Sequence, residues 1–253
     1  MGKCRMCCLQ KPLVKAHVIP EAFFRPLRDE QQAPRIYTAG IEPPKRAPIG
    51  IYDETILCKD CEKKFDAIDS YGAQVLLSGF DHHFSRVEHA DRFPTFESES
   101  VDQEKLLRFL IAVLWRASVS THSFYEAVAL GPLEDSAAAT IDEPQDNIPL
   151  HFGAMLVRWV STPEFEDAAK AIGNPSIKRI DKVKVYQFHF GNVVALIKAS
   201  SSSFQGASAR MCLCAQEKLS ILGPHFESSG TLKSMINTAK ASFAAYPFKD
   251  RMS

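Results

Sequence analysis

Four cysteines in two Cys-x2-Cys pairs, Cys4/Cys7 and Cys58/Cys61, carry the strongest chemical signal in the chain. Each pair places two thiolates in one tight turn. Two such turns complete the tetrahedral sulfur set that Zn²⁺ takes at about 2.3 Å per bond. The second pair follows a short strand and opens a predicted helix, where the helix dipole favours thiolates. Cys8 leaves a Cys4-x3-Cys8 alternative open, but the x2 spacing of Cys7 matches the second pair. The chain has seven cysteines, five of them in these clusters, which in a reducing compartment points to metal ligation rather than disulfides. The other two, Cys212 and Cys214, are expected on one face of a strand, packed in the core.

Short elements must position the knuckles. Residues 13–20 (Leu-Val-Lys-Ala-His-Val-Ile-Pro) read as a β-type run stopped by Pro20, which suits the first position of a helical turn over 21–27. Residues 28–50, rich in Pro, Gly and charge, read as a long loop or irregular hairpin. Residues 51–57 read as a second short strand, and 62–77 as a helix with Phe65, Ile68, Ala73, Val75 and Leu76 available for packing. A polar stretch ending at Ser100 suggests a division into a zinc-binding module, residues 1–97, and an α+β domain of unassigned role, residues 98–253. Asp102 is the expected N-cap of an apolar helix reaching Val119, the centre of the second core. Further on, 151–160 and 183–199 are β-rich, the latter a hairpin turning at Gly191-Asn192. A short helix is expected over 165–172, strands over 209–214 and 219–222, and a closing helix over 231–245. The expected fold class is α+β, with an N-terminal zinc-binding, treble-clef-like module followed by a helical and mixed region.

The segment Lys15-Ala-His17-Val-Ile-Pro20, between one Cys-x2-Cys and Ile56-Leu-Cys58-x2-Cys61, resembles the HNH endonuclease motif with its ββα-metal fold. The resemblance covers residues 4 to about 70. It implies that His17 is the general base that deprotonates the attacking water, a task suited to an imidazole near neutral pH. Asp53 falls where that family has an Asn that fixes the active loop, and Glu62, directly after Cys61, falls where a His binds a divalent ion. Asp66, four residues on, shares a helix face with Glu62, and such carboxylates suit Mg²⁺ or Mn²⁺. The chain departs from the family at Ala16, where an acidic or His ligand is usual, so Asp66 or Asp69 would have to supply it. The stretch ending Leu-Trp-Arg-Ala-Ser-Val-Ser120 is similar to one in bacterial proteins carrying the same N-terminal pattern. Two plainer readings stay open: His17 packing beside the zinc, and Glu62, Asp66 and Asp69 as a solvated helix face. His82, His83 and His89 lack ligand spacing and are expected in surface or loop roles.

Composition narrows the function classes. No apolar run approaches the roughly 18 residues that span a bilayer, and the N-terminus lacks a signal-like apolar segment. Met6 stands where myristoylation expects Ser or Thr. A cytoplasmic location is therefore expected. Formal net charge is zero, but residues 1–65 hold 12 Lys/Arg against 8 Asp/Glu, a net of +4 balanced by −4 in the remainder. That asymmetry is compatible with phosphate binding at the N-terminal module, where Arg25, Arg28, Lys45, Arg46, Lys63 and Lys64 are the candidate cations. No nucleotide loop, nucleophile elbow or catalytic triad spacing is present. The expected function is a metal-dependent endonuclease acting on DNA or RNA, with a structural Zn²⁺ and a catalytic Mg²⁺ or Mn²⁺. The alternatives are a non-catalytic zinc module binding nucleic acid or a protein partner, and a purely structural zinc site with function in the C-terminal region.

Overall fold

The computed structural model describes residues 1–27, 35–36, 45–46, 50–90, 92–142 and 147–245. The chain begins with β1 (Gly2–Lys3) and β2 (Gln10–Lys11), paired antiparallel around the first cysteine turn. Next comes β3 (Ala16–His17), then two 3-10 turns, Glu21–Phe23 and Arg25–Leu27, the first entered from Pro20. β4 (Arg35–Ile36) and β5 (Lys45–Arg46) pair antiparallel within the segment expected to be a loop or hairpin, most of which lies outside the described residues. β6 (Tyr52–Asp53) pairs with β3, matching Ala16 to Asp53 and His17 to Tyr52. A bridge from Leu13 to Cys58 extends this hairpin to the second knuckle.

The expected helix over 62–77 is a helical run of changing pitch. It passes through α1 (Lys59–Glu62), a 3-10 turn (Lys63–Phe65), α2 (Asp66–Ala73), a π turn (Gln74–Ser78) and α3 (Phe80–His83). Gly72 is where α2 meets the helix beneath it. A Cβ there would come within 2.4 Å of the Phe109 ring, so only glycine permits this approach.

β7 (Ser85–Val87) and β8 (Thr95–Ser98) follow, then α4 (Gln103–Val119). The side chain of Asp102 accepts from the Lys105 N–H at 3.0 Å, the expected cap. Every residue of α4 from Leu106 to Ala117 is buried, so the helix is covered on all sides. α2, α5 (Glu134–Asp142) and β9 (Phe152–Arg158) all pack on it. The chain continues through α6 (Glu166–Lys170), β10 (Ser176–Ile180), β11 (Val183–Phe190), β12 (Val193–Ala199), α7 (Gly206–Arg210), β13 (Leu219–Leu222) and α8 (Gly230–Ala245).

Seven strands form one sheet in the order β10-β11-β12-β9-β13-β8-β7. Its pairs are antiparallel except β13 with β9. The expected hairpin turns at Gly191-Asn192, with Gly191 at φ +65°. Tyr186, Phe188 and Phe190 join the main core, while Val183 and Val185, on alternate positions, pack with Met155 and Phe204 in a second cluster.

Residues 97 and 98, between which the division was expected, both lie in β8, whose Thr95–Ser98 alternate in burial and pair with β13, and the main core includes residues from Cys4 to Ile221. One expectation meets a different structure. Residues 209–214 are not a strand. They end α7 and turn, with Cys214 in the left-handed region at φ +65°, so Cys212 is half-buried while Cys214 is exposed. The Ala-rich start of this segment favours helix, and a left-handed residue cannot continue an extended chain. Among the described residues no helix is long and apolar enough to cross a membrane.

Candidate metal centre

The first knuckle is a turn closed by the Cys8 N–H donating to the Cys4 carbonyl at 3.0 Å, with Cys8 itself at φ +59°. That conformation sends Cys8 outward, where it is exposed, and leaves Cys7 on the inner side. The second knuckle begins at Cys58 in extended conformation and closes as the first turn of α1, placing Cys61 inside. The Arg5 N–H of the first knuckle donates to the Ile56 carbonyl at 2.8 Å, tying it to the segment that enters the second.

The result is one group: the sulfurs of Cys4, Cys7, Cys58 and Cys61 all lie within 4.8 Å of one another. A tetrahedron with 2.3 Å arms has edges of about 3.8 Å, and the Cys7 and Cys58 sulfurs stand 4.0 Å apart. Cys4, Cys58 and Cys61 are buried, and Cys7 is half-buried. The Cys58 N–H donates to the Cys4 sulfur at 3.4 Å. Burial raises the Cys4 thiol's pKa, but N–H groups of Cys7, Cys58 and Met6 outweigh it and bring it to about 7. Burial pushes the Cys61 thiol up, as does sharing of the surrounding sulfurs. Four soft donors at this spacing, three of them buried, fit a metal ion such as zinc, which binds them as thiolates and removes the crowding of four thiols.

The hairpin beside the knuckles carries His17 and Asp53 on opposite faces. His17 is half-buried and stands edge-on to Tyr52, with ring centroids 6.0 Å apart. Lys15 lies over the same Tyr52 ring at 4.8 Å. Ala16 and Asp53 face inward and are buried. Asp53 is fully engaged. One oxygen accepts from the Thr55 N–H at 2.7 Å and its hydroxyl at 2.6 Å. The other accepts from the Ser120 hydroxyl at 2.8 Å and the Thr121 N–H at 2.7 Å. Burial raises the Asp53 pKa, but these donors outweigh it and hold the carboxyl below its ordinary value.

The helix acids divide between two roles. Asp69 accepts a forked pair of bonds from Arg116 at 2.7 and 2.6 Å. Arg116 is only 1% exposed and also donates to the Ala112 carbonyl, while its guanidinium lies 4.5 Å from the Phe65 ring centroid. Glu62 is half-buried and Asp66 exposed. Burial raises the Glu62 pKa, Arg116 draws it down, and Asp66 and Asp69 push it up again, leaving it above the ordinary value. Among the described residues the four cysteines are the only such donor atoms gathered in a group of three or more. Glu62 and Asp66, one turn apart, belong to no such group.

The end of α4 and the two residues after it anchor both parts of this site. Trp115 stacks on Phe65, Arg116 grips Asp69, and Ser120 and Thr121 hold Asp53. Ser118 donates to Glu134, which also receives Arg5 from the first knuckle. Sequence reasoning noted the Leu-Trp-Arg-Ala-Ser-Val-Ser stretch without assigning it work; the signal within it was an arginine inside an otherwise apolar helix. Of the three histidines expected in surface or loop roles, His83 pairs through Nδ1 with Ser100 and His89 through Nε2 with Thr95. Among the candidate cations, Arg25 pairs with Glu21 and Lys64 with Asp142. Arg28 and the side chains of Lys45 and Arg46 lie outside the described residues. No protein-family model, curated protein or solved structure matches the chain.

Proposed function

We propose that the N-terminal module is a zinc-stapled treble clef of the HNH endonuclease type and hydrolyses phosphodiester bonds in DNA or RNA. The observation that carries this reading is the placement of His17. It ends a hairpin strand, half-buried beside Tyr52, on a ββα arrangement whose helix opens with the second cysteine pair. The zinc is structural, since four cysteines fill its tetrahedron and leave no open position. His17 takes the proton of the attacking water. Glu62 and Asp66 would hold the divalent ion, whose contribution is to offset charge on the scissile phosphate. Asp53 acts by position: through Ser120 and Thr121 it fixes the hairpin that carries His17.

A second reading, a zinc module that binds nucleic acid or a protein without cutting, is favoured by the fate of the acids. Ala16 supplies no ligand, Asp53 has its acceptors filled, and Asp69 is bound to Arg116. The test is cleavage of plasmid DNA and of RNA by zinc-loaded protein with Mg²⁺ or Mn²⁺, comparing wild type with His17→Ala. The nuclease reading expects divalent-dependent cleavage that falls by roughly 10²-fold or more in the variant, as for loss of a general base, with zinc content unchanged. Cleavage that persists undiminished in His17→Ala sinks it. If wild type binds nucleic acid in anisotropy titrations without cutting, the second reading replaces it.

A further inference from the structure

At one edge of the sheet the β10–β11 hairpin gathers cations. Residues 176–184 hold Lys178, Arg179, Lys182 and Lys184 against one acid, Asp181, while residues 66–253 as a whole carry a net −4. Among the described residues none of the four cations is in an ion pair.

Two features of this hairpin work against its stability. The register sets Arg179 directly opposite Lys184, so two cations share one rung on one face, where like charges repel. The turn residues Asp181 and Lys182 both lie in the left-handed region, at φ +49° and +67°. Two-residue hairpin turns of that kind favour Asn-Gly or Gly-Gly, and a lysine side chain there is strained. Arg179 Nη1 donates to the Lys182 carbonyl at 3.3 Å, which draws the guanidinium over the turn. Arg179, Lys182 and Lys184 therefore form one group. The first two are exposed; Lys184 is half-buried and donates to the Tyr186 hydroxyl at 2.8 Å.

Charge on an edge strand keeps other chains from pairing with it. That accounts for the cations of β10, including Lys178, which alternation places on the face opposite Arg179. It does not account for Lys184, on a strand paired along both sides, or for Lys182 in the turn. Unneutralised cations kept together against local stability are the complement of a polyanion. A planar anionic membrane would also extend over the acidic remainder of the C-terminal region, whereas a nucleic-acid strand can lie on the hairpin alone. A protein partner usually anchors on buried aromatic or apolar residues, and the hairpin's one exposed large apolar residue is Ile177.

We infer that the tip of the β10–β11 hairpin is a nucleic-acid contact, where Arg179, Lys182 and Lys184 hold backbone phosphates without reading sequence. This surface lies outside the N-terminal module, and the inference does not depend on whether that module cuts.

The test is fluorescence anisotropy of a labelled DNA strand of about 20 bases, longer than a single binding site, and of its duplex. The protein is full-length and zinc-loaded, with no added Mg²⁺ or Mn²⁺, so cleavage plays no part. In Arg179→Gln/Lys182→Gln the affinity at low salt should fall about ten-fold or more, alike on two unrelated sequences. The slope of log affinity against log salt should become shallower by about 2, one for each lost phosphate contact. Lys178→Gln, on the other face, should leave that slope unchanged. Lys182→Gly removes a cation and relieves the turn, so affinity should fall while the urea midpoint holds or rises. Four results overturn the inference: no binding of either DNA form by wild type, unchanged affinity and slope in the folded double variant, a loss per charge in Lys178→Gln equal to that in the double variant, or tighter binding to phosphatidylserine vesicles than to DNA.

Discussion

The ladders around the metal centre are two residues long, whereas β9, β11 and β12 run for seven or eight. An isolated two-stranded pair is marginal in water at any length, and a two-residue one does not hold itself. β1–β2 and β3–β6 are therefore ordered from outside, by four sulfurs at one end and by the last turn of α4 at the other. The sheet is ordered by its own burial, with Tyr186, Phe188 and Phe190 on one face and Val183 and Val185 on the other. Order in the module is expected to depend on the four cysteines and on polar anchors more than order in the sheet does.

The largest effect expected from this contrast is metal removal. Structural zinc contributes on the order of 10 kcal/mol to the folding of small metal-dependent modules. Wild type should carry one zinc by elemental analysis, and Cys58→Ser should carry none. In hydrogen exchange the variant should lose protection over residues 52–65 while residues 183–199 keep theirs. Loss of protection in both segments together would end the distinction.

Next in size is Arg116→Met. It leaves the partly buried Asp69 carboxylate without its fork and should cost about 3 kcal/mol, measured by urea unfolding. Arg116→Lys should recover only part of this, because an ammonium cannot reproduce two parallel bonds. Asp53→Asn is milder at about 2 kcal/mol, since the amide nitrogen cannot accept from donors already aimed at an oxygen. Full rescue by lysine at 116 would mean that charge alone joins α2 to α4.

What the residues made legible follows the range of the interactions involved. The cysteine spacing is local and gave the metal set directly. The cap at Asp102, the apolar helix behind it and the turn at Gly191-Asn192 are local as well. The Arg116–Asp69 fork joins residues 47 apart, and nothing in either neighbourhood marks the other. β8 was read as a polar stretch because its partner β13 lies more than 120 residues later. Thr-Phe-Glu-Ser alternates correctly for a strand, but the acids around it hid the pattern. At 209–214 the error ran the other way: hydrophobic content suggested a strand, and the left-handed backbone at Cys214 overrules it.

The sheet has its own acid response. Burial, with Lys178 adding to it, lowers the fully enclosed His189 to about 4 from its ordinary 6.5. The unfolded chain therefore takes the proton first. The stability that depends on neutral His189 is complete above about pH 6.5 and declines as pH falls from there toward 4. His189→Gln should flatten that decline in the exchange of residues 183–199. Asp53→Asn should leave it unchanged. A decline identical in wild type and His189→Gln would place the acid sensitivity of the sheet elsewhere.

The smallest effect tests the element both regions share. Asp102→Ala removes the cap from α4 and should cost about 1 kcal/mol. α4 packs on β9 and β12, its final turn anchors Asp69, and Ser120 and Thr121 just past it anchor Asp53. The cap lies at the opposite end of the helix from those anchors. If α4 behaves as one rigid rod, the exchange rates of residues 52–65 and 183–199 rise by the same factor. If the rise is confined to 183–199, the last turn holds the module independently of the first. The junction is then a local polar clamp, and the module draws its order from the end of α4 and the two residues after it rather than from the whole helix.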